Sequence, residues 1–406
     1  MKSALGNGVK GGKWFSLMDK VFRPSSLEVA WRKVEANKGS SGIDGQSLDR
    51  FAADAALYLT ELHESLKSGL YSPSPVKRVD IPKGNGQTRP LGIPTVKDRI
   101  VQTALKMAIE PIFETQFREG SHGFRPERGC KDALREVDRQ LKEGYAHVVD
   151  ADLKSYFDTI PHDRLMAQVA EKISDGRILS LIEGFLRQDV MKEMERWTPT
   201  AGTPQGAVIS PLLANIYLHP LDLLMEESGY RMVRYADDFV ILCRTAEEAA
   251  AALRQITAWT AANGLTLHPD KTRIGDARQP GQGFDFLGYR FEGGHRFVRE
   301  KSLKAFRDKV RAKTKRNRGV SLDRIIDDLN PMLRGWFGYF KHAVPSVLRD
   351  ADGFIRRRLR AILRRRQKRS GFGSCRNDHL SWPNAFFASL GLFTLSTARY
   401  RARLPR

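Results

Sequence analysis

Apolar residues are arranged in two ways along the chain: in short runs typical of strands, and at the spacing of three to four residues typical of helices. Two of the strand-like runs flank a pair of adjacent acids. The stretch 231–243 carries two apolar runs, rich in Val, Ile, Phe and Tyr, on either side of Asp237 and Asp238. Runs of this composition predict two strands joined by a tight turn. A further strand-like run, 147–152, ends at Asp152. Neighbouring side chains of a strand point to opposite faces, so Asp237 and Asp238 can aim together only if the turn bends the backbone.

Longer segments repeat their apolar residues every three to four positions, which predicts amphipathic helices. The predicted helices cover 27–36, 57–70, 95–117, 131–144, 176–194, 210–225, 247–263 and the region from Leu303 onward. Asp163 is expected to cap one more helix, which ends near Lys172. Shorter runs at 76–82 and 264–271 predict strands. Helices and strands in this mixed order predict an α+β fold.

The length and charge of the chain narrow its class. With 406 residues, 41% of them hydrophobic, the chain is long enough for two or three domains with substantial cores. A formal net charge of +21 predicts a polyanionic partner, for which nucleic acid is the first candidate and an anionic membrane the second. No run of eighteen apolar residues occurs, and the first thirteen residues lack the apolar core of a signal peptide. We therefore expect a cytoplasmic protein, with association with the nucleoid as a candidate, and no membrane partner.

The positive charge is concentrated in one part of the sequence. Residues 296–369 contain 24 Lys and Arg against 7 Asp and Glu, so this span holds most of the excess. Cys130, Cys243 and Cys375 are too far apart to form a paired ligand motif. A nearly neutral region followed by a basic region is typical of a protein that catalyses a reaction with one part and binds phosphates with another.

The acids at Asp152, Asp237 and Asp238 suggest a metal site. Carboxylates that lie close together repel each other unless a cation lies between them. Hard oxygen ligands that leave positions open for phosphate oxygens favour Mg²⁺. Adjacent Asp residues are also common in exposed turns, and a solvated hairpin tip is the alternative.

Two cations flank a glycine turn near residue 85. Lys83 and Arg89 stand on either side of this turn, where they could present two positive charges to one triphosphate. Two solvated charges on an exposed hairpin are the alternative.

Four motifs in order resemble those of a reverse transcriptase, in particular the group II intron-encoded reverse transcriptase/maturase family. They are VDADLKSYFD at 149–158, GTPQG with SPLLAN at 202–215, YADD at 235–238 and FDFLGY at 284–289. No Cys-x-x-Cys pair occurs, so the resemblance is to the bacterial type without an HNH endonuclease domain.

The resemblance implies a right-hand polymerase, with fingers and a palm built on a split βαβ unit and an antiparallel sheet, followed by an α-helical thumb. The implied domains are an N-terminal extension (1–60), fingers and palm (61–295), a basic thumb or maturase (X) domain (296–369) and a C-terminal tail (370–406), a candidate DNA-binding segment. The tail is apolar enough between Trp382 and Phe393 to fold back and dock.

The resemblance also implies a role for each motif residue. The catalytic residues would be Asp152, Asp237 and Asp238, which with Leu153 would hold two Mg²⁺ ions, Mn²⁺ being the alternative metal. Lys271 would protonate the leaving pyrophosphate. The dNTP would be bound by Lys83, Arg89, Phe157, Gln205 and Gly206. Phe157 would exclude a 2′-hydroxyl, because a bulky ring under the sugar leaves no room for it. The activity implied is RNA-directed DNA synthesis from a primer 3′-hydroxyl.

The nucleic-acid contacts are predicted from clustered cations. They are Arg125 and Arg128 in the loop 122–128, Lys313, Lys315 and Arg316, and Arg356, Arg357, Arg360 and Arg364 on one face of an Arg-rich helix at 354–369. The expected partners are dNTPs, an RNA template with its primer, group II intron RNA and a DNA target, while the oligomeric state is left open. A reverse transcriptase that serves host defence or repair without an intron, and an RNA-binding splicing factor, are the alternatives.

Overall fold

The computed structural model describes residues 12–84 and 87–402, and the side chains of 83–87 lie outside its description. The described residues separate into two compact units, one within Met1–Arg139 and Ala151–Arg273 and the other within Gln140–Asp150 and Ile274–Arg406. Both units mix helices with antiparallel strand pairs, and the second is helical beyond residue 300. The predicted α+β fold is confirmed.

The first unit begins with a group of helices and a strand hairpin. Its helices are α1 (Met18–Phe22), α2 (Pro24–Ala36), α3 (Leu48–Ala53), α4 (Ala55–Ser68) and α5 (Val96–Glu114), and its hairpin is β1 (Val76–Gly84) with β2 (Gln87–Ile93). One face of α5 is completely buried at Val101, Leu105 and Ile109. The buried positions recur at the helical period, as the sequence pattern predicts.

The remainder of the first unit carries the motif residues. Its elements are α6 (Cys130–Lys142), α7 (Tyr156–Thr159), α8 (His162–Ala170), α9 (Gly176–Leu186), β4 (Val190–Lys192), β5 (Glu195–Trp197), α10 (Ser210–Glu227), β6 (Arg231–Tyr235), β7 (Asp238–Cys243) and α11 (Ala246–Ala262). The last two residues of β3 (His147–Asp152) and the first of β8 (Arg273–Asp276) also belong here. Strands β6 and β7 pair antiparallel, with Val233 opposite Val240. Helix α10 is buried along most of its length.

Three local predictions in this unit are wrong. The predicted helix 176–194 ends at Leu186, and the following residues form β4 and β5, because β4 pairs with the free edge of β1 through Val190 opposite Val76. Asp163 lies inside α8, which starts without a side-chain cap. No strand forms over 264–271; that segment returns through isolated contacts such as the bridge between Leu153 and Leu267.

The second unit combines a small sheet with a helical core. Its elements are β9 (Phe284–Phe286), β10 (Tyr289–Glu292), β11 (His295–Val298), α12 (Glu300–Lys313), α13 (Leu322–Phe340), α14 (Pro345–Arg366), α15 (Arg376–Ser381), α16 (Asn384–Ser389) and α17 (Leu395–Arg401). The three strands are antiparallel in the order β11-β10-β9. They were not predicted from the sequence.

The C-terminal tail docks on the helices of the second unit, as predicted. Trp382 and Phe387 enter the same apolar cluster as Leu329 of α13 and Leu359 of α14. Asn330 fixes the returning chain, because its amide donates to the Gly391 carbonyl at 2.9 Å. This docking covers one side of α14 and decides which of its arginines reach solvent.

Candidate active site and nucleic-acid interface

The turn between β6 and β7 presents Asp237 at the tip of the hairpin. Tyr235 pairs with Asp238, so Ala236 and Asp237 form a two-residue turn. Ala236 adopts φ +61°, a left-handed backbone that costs of order 1–3 kcal/mol in a residue with a Cβ. Such a strained turn persists only where its surroundings hold it.

Four charged groups meet at this turn. Asp237 is half-buried, and this burial, followed by the nearby negative charge of Asp152, raises its pKa, while Arg89 and Lys271 oppose the increase. The Lys271 ammonium donates directly to Oδ2 of Asp152. The structure thus brings together two predicted carboxylates and two predicted cations that lie up to 182 residues apart in the sequence.

The donor set fits a divalent cation. Asp152 and Asp237 offer oxygen atoms only, and a cation between them would relieve the repulsion that contributes to the raised pKa of Asp237. Asp238 is half-buried at the start of β7, and Leu153 has only its main-chain carbonyl to offer. Among the residues that the structure describes, no group of three or more His, Cys, Asp or Glu side chains is placed to hold a metal ion. In this arrangement the Lys271 ammonium supplies the positive charge at Asp152.

Arg89 and Gln205 form one connected group. Arg89 Nε donates to Gln205 Oε1 at 2.7 Å, and Gln205 Nε2 reaches Asp158 Oδ1 at 3.4 Å. No role was predicted for Asp158, although it closes the VDADLKSYFD motif. Lys83 belongs to β1, and its side chain lies outside the described part of the chain.

Gly206 is required by its backbone and by its neighbour. Its φ is +107°, and a Cβ at this position would lie 2.5 Å from the Gly92 carbonyl oxygen. The Gly92 N–H donates to the Gln205 carbonyl at 2.7 Å, so the two segments are hydrogen-bonded at this point. Glycine therefore permits the close approach of β2 to the loop that carries Gln205.

Phe157 lies beside the same loop. It is 9% exposed and makes edge-to-face contacts with Phe124 and Tyr156. Together with Gln205 it lines a cavity of about 510 Å³. The ring is held in place by neighbouring aromatic rings, which fixes the shape of this wall.

Arg125 was predicted to contact nucleic acid, and the structure contradicts this. Its side chain is 4% exposed and makes a bidentate ion pair with Glu114. The third nitrogen, Nη1, donates to the carbonyls of Arg118 and Ser121. The guanidinium therefore holds the loop 118–125 together. Arg128, three residues further along the chain, is also paired, with Glu119 at 2.8 Å.

The predicted arginine face on α14 is also wrong in part. Arg360 is 2% exposed and donates to the Trp382 carbonyl at 2.9 Å. Arg364 pairs with Asp378 at 2.7 Å. Arg356 is half-buried, and Arg357 is exposed. The docked tail buries a face that the sequence pattern assigned to solvent.

The cations near residue 315 differ in their surroundings. Lys315 is exposed, and Lys313 is half-buried. Arg316 donates to the Gly371 carbonyl at 3.1 Å and lies over the ring of Phe372. Lys315 is therefore the cation of this group with the clearest access to solvent.

None of the helices in the described part of the chain is both long and apolar enough to cross a membrane.

Two segments of the chain match models of known protein families. Residues 81–291 match the family model of the reverse transcriptases (RNA-dependent DNA polymerases), and residues 303–380 match that of the group II intron maturase-specific domain. The chain is 36% identical to Protein YkfC of Escherichia coli (strain K12) over 327 residues, which cover 70% of this chain and 84% of YkfC.

Two further relatives are intron proteins by name. The chain is 40% identical to the group II intron-encoded protein LtrA of Lactococcus lactis subsp. cremoris, over 50% of this chain and 34% of LtrA. It is 38% identical to an uncharacterized 91 kDa protein in the cob intron of Schizosaccharomyces pombe, over 49% of this chain and 24% of that protein. The matches thus span about a third and a quarter of these two relatives. With the motifs, the fold and both family models in agreement, the chain belongs to the reverse transcriptase family and carries a group II intron maturase-specific domain.

Proposed function

We propose that this protein copies RNA into DNA, with Asp152 and Asp237 holding two divalent metal ions, Mg²⁺ or alternatively Mn²⁺. The observation that carries the proposal is the meeting of these two carboxylates with Arg89 and Lys271 at the strained β6–β7 turn. Enzymes of this family use divalent metal ions, and the oxygen-only donor set here suits Mg²⁺. Asp238 and the Leu153 carbonyl are the further ligands in this proposal.

The residues of the chain would then divide the work of phosphoryl transfer. Bound metal ions would lower the pKa of the primer 3′-hydroxyl and neutralise charge on the triphosphate. Arg89 binds non-bridging phosphate oxygens, which supports a reaction that depends on alignment and charge stabilisation. Lys271 would donate a proton from Nζ to the leaving pyrophosphate, and to do so its ammonium would have to leave Asp152 Oδ2, to which it donates in this structure. Lys83 is the second phosphate ligand in this proposal.

The sugar and base of the incoming nucleotide would lie against Phe157, Gln205 and Gly206. The Phe157 ring, held by Phe124 and Tyr156, fills the space that a 2′-hydroxyl would need. Gly206 lets the backbone approach the base pair closely, because no Cβ projects from it.

We further propose that the second unit binds group II intron RNA and assists splicing and mobility at a DNA target. The match of 303–380 to the maturase-specific domain favours this second function. The phosphate contacts would come from cations that reach solvent, among them Lys315, Arg357, Arg365 and Lys368. The proposed domains remain 1–60, 61–295, 296–369 and 370–406.

The polymerase proposal is tested by Asp237→Asn in a primer-extension assay on an RNA template with Mg²⁺. The variant is expected to lose extension, because it removes a metal ligand's charge, while it keeps RNA affinity and its melting temperature. Asp163→Asn is the matched control, since Asp163 is exposed on α8 and lies outside the proposed site. Extension by a folded Asp237→Asn protein at the wild-type rate would refute the catalytic assignment.

The intron proposal needs a separate assay. Group II intron RNA is incubated at low Mg²⁺, and its splicing is measured with and without the protein. Faster splicing supports the maturase role. Extension activity without any effect on splicing would instead support a reverse transcriptase that works without an intron.

A further inference from the structure

A buried arginine lies two residues before the strained turn. Arg234 is on β6, and its side chain is 0% exposed. A charged group out of water is costly unless it is paired and hydrogen-bonded. No role was predicted for Arg234, which stands among apolar residues of a predicted strand.

Every N–H of the Arg234 guanidinium has an acceptor. Nε and Nη2 donate to the two carboxylate oxygens of Asp222 at 2.8 and 2.5 Å. Nη1 donates to Asn215 Oδ1 at 2.9 Å and to the Ala236 carbonyl at 3.0 Å. Nη2 also donates to Ser121 Oγ at 2.8 Å. Five donors thus meet five acceptors, which is the full capacity of the group.

These acceptors come from three separate segments. Asp222 and Asn215 lie on α10, Ser121 lies in the loop 118–125, and Ala236 lies in the turn that carries Asp237. The backbone of Arg234 adds two more links, because its N–H donates to the Gly120 carbonyl and its carbonyl accepts from the His122 N–H, each at 2.8 Å. The side chain therefore joins the turn to a long buried helix.

The far side of the turn is fixed in the same way. The Asn215 amide donates to the Gly123 carbonyl at 2.7 Å. Gly123 has no Cβ, and one placed there would lie 2.3 Å from the Ala236 nitrogen. Ala236 is thus held against Gly123 on one side, and its carbonyl is bound by Arg234.

The electrostatics agree with this geometry. Burial by itself lowers the pKa of Arg234, but the charge and hydrogen bonds of Asp222 more than offset that effect, so the pKa is raised and the guanidinium stays charged. The negative charge of Asp237 also contributes to raising the pKa of Arg234. A charge-assisted bond to the Ala236 carbonyl is stronger than a neutral one, which suits the task of holding a strained backbone.

We propose that Arg234 is a positioning residue, which uses Asp222 as its anchor to hold the Ala236–Asp237 turn in the conformation that catalysis requires. This inference rests on the proposed polymerase function. Arg234 would act through Asp237 and not touch the substrate.

The test compares Arg234→Lys with the wild-type enzyme in primer extension. Lysine keeps the charge but lacks the planar fork, so it cannot bind both Asp222 oxygens and the Ala236 carbonyl at once. A turn misplaced by about 1 Å is expected to lower kcat by about 100-fold. The Mg²⁺ concentration for half-maximal rate should rise, while primer–template affinity stays within about twofold of wild type.

A second variant and a matched control separate positioning from general stability. Asp222→Asn keeps the shape of the anchor but removes its charge, and it decides the question if Arg234→Lys does not fold. Asp175→Asn is the control, since Asp175 is also buried in the first unit and accepts from the Leu17 and Met18 N–H groups, far in sequence from the turn. It is expected to lower the melting temperature without changing kcat or the Mg²⁺ dependence.

The outcomes are distinct. A fall in kcat with a raised Mg²⁺ requirement in folded Arg234→Lys or Asp222→Asn, absent in Asp175→Asn, supports the proposal. Wild-type kcat in folded protein of both variants overturns it, as does an equal fall in the control. Failure of the wild-type enzyme to extend any primer would instead refute the proposed function.

Discussion

Replacing Arg360 with glutamine tests whether the tail, and not RNA, binds this guanidinium. Arg360 Nε donates to the Trp382 carbonyl at 2.9 Å and Nη2 to Asn384 Oδ1 at 3.0 Å. The guanidinium lies 5.4 Å from the centre of the Phe387 ring. Burial lowers the pKa of Arg360, and the positive charge of Arg356 lowers it further.

The size of the effect follows from these contacts. A hydrogen bond from a charged group contributes about 1.5–3 kcal/mol, and a carbonyl left buried without a partner costs about 1–3 kcal/mol. Glutamine is shorter and can satisfy only one of the two acceptors. We therefore expect the free energy of unfolding to fall by about 2–4 kcal/mol.

The assay pairs this variant with glutamine substitutions at exposed cations. Arg357, Arg365 and Lys368 are exposed, so their combined replacement should change the free energy of unfolding by less than about 0.5 kcal/mol per site. If all three contact phosphates, the slope of log K against log salt should become shallower by roughly two to three. Arg360→Gln should leave that slope unchanged. Urea unfolding and RNA binding between about 50 and about 500 mM salt, a range of roughly one decade, supply both readouts.

The opposite pattern would refute this reasoning. A shallower slope with wild-type stability in Arg360→Gln would mean that the guanidinium reaches RNA. An unchanged slope in the folded triple variant would move the RNA contacts away from α14 and toward Lys315.

Two further substitutions probe the nucleotide site. Gly206→Ala should abolish primer extension, because its Cβ would lie 2.5 Å from the Gly92 carbonyl oxygen. The control is Gly229→Ala, which shares a positive φ but has nothing within 4 Å of the added Cβ; it should lower the free energy of unfolding by only about 1 kcal/mol and leave extension intact. Equal extension by the two variants would contradict this. Phe157→Ala should admit ribonucleotides and lower the free energy of unfolding by about 3 kcal/mol, since the ring is largely buried against Phe124. Competition between dNTP and rNTP on one template measures the first effect, and unchanged discrimination would assign the gate to another side chain.

The sequence by itself determined the local elements and the order of the motifs. The apolar runs around Asp237 and Asp238 predicted the β6–β7 hairpin, and the helical period predicted α5 and α10. Such patterns are visible in the sequence, because a helix or strand that buries one face has apolar residues at a regular spacing. The four motifs then identified the family.

The strands β4, β5 and β9–β11 depended on the tertiary structure. Each is only three or four residues long, so its period carries little information. β4 forms because β1 offers it unpaired backbone groups, and that partner lies more than a hundred residues away in the sequence. Pairing at that distance overrides local propensity.

Which arginine side chains are buried and which are exposed depends on the tertiary structure. In sequence, Arg125, Arg234, Arg357 and Arg360 are alike, yet only Arg357 is exposed. An arginine is buried where acidic side chains and carbonyls from distant segments converge on it, as they do around Arg234. Because those partners come together only when the chain packs, the sequence of one helix or strand shows that a cation is present but not whether it is exposed to solvent or buried.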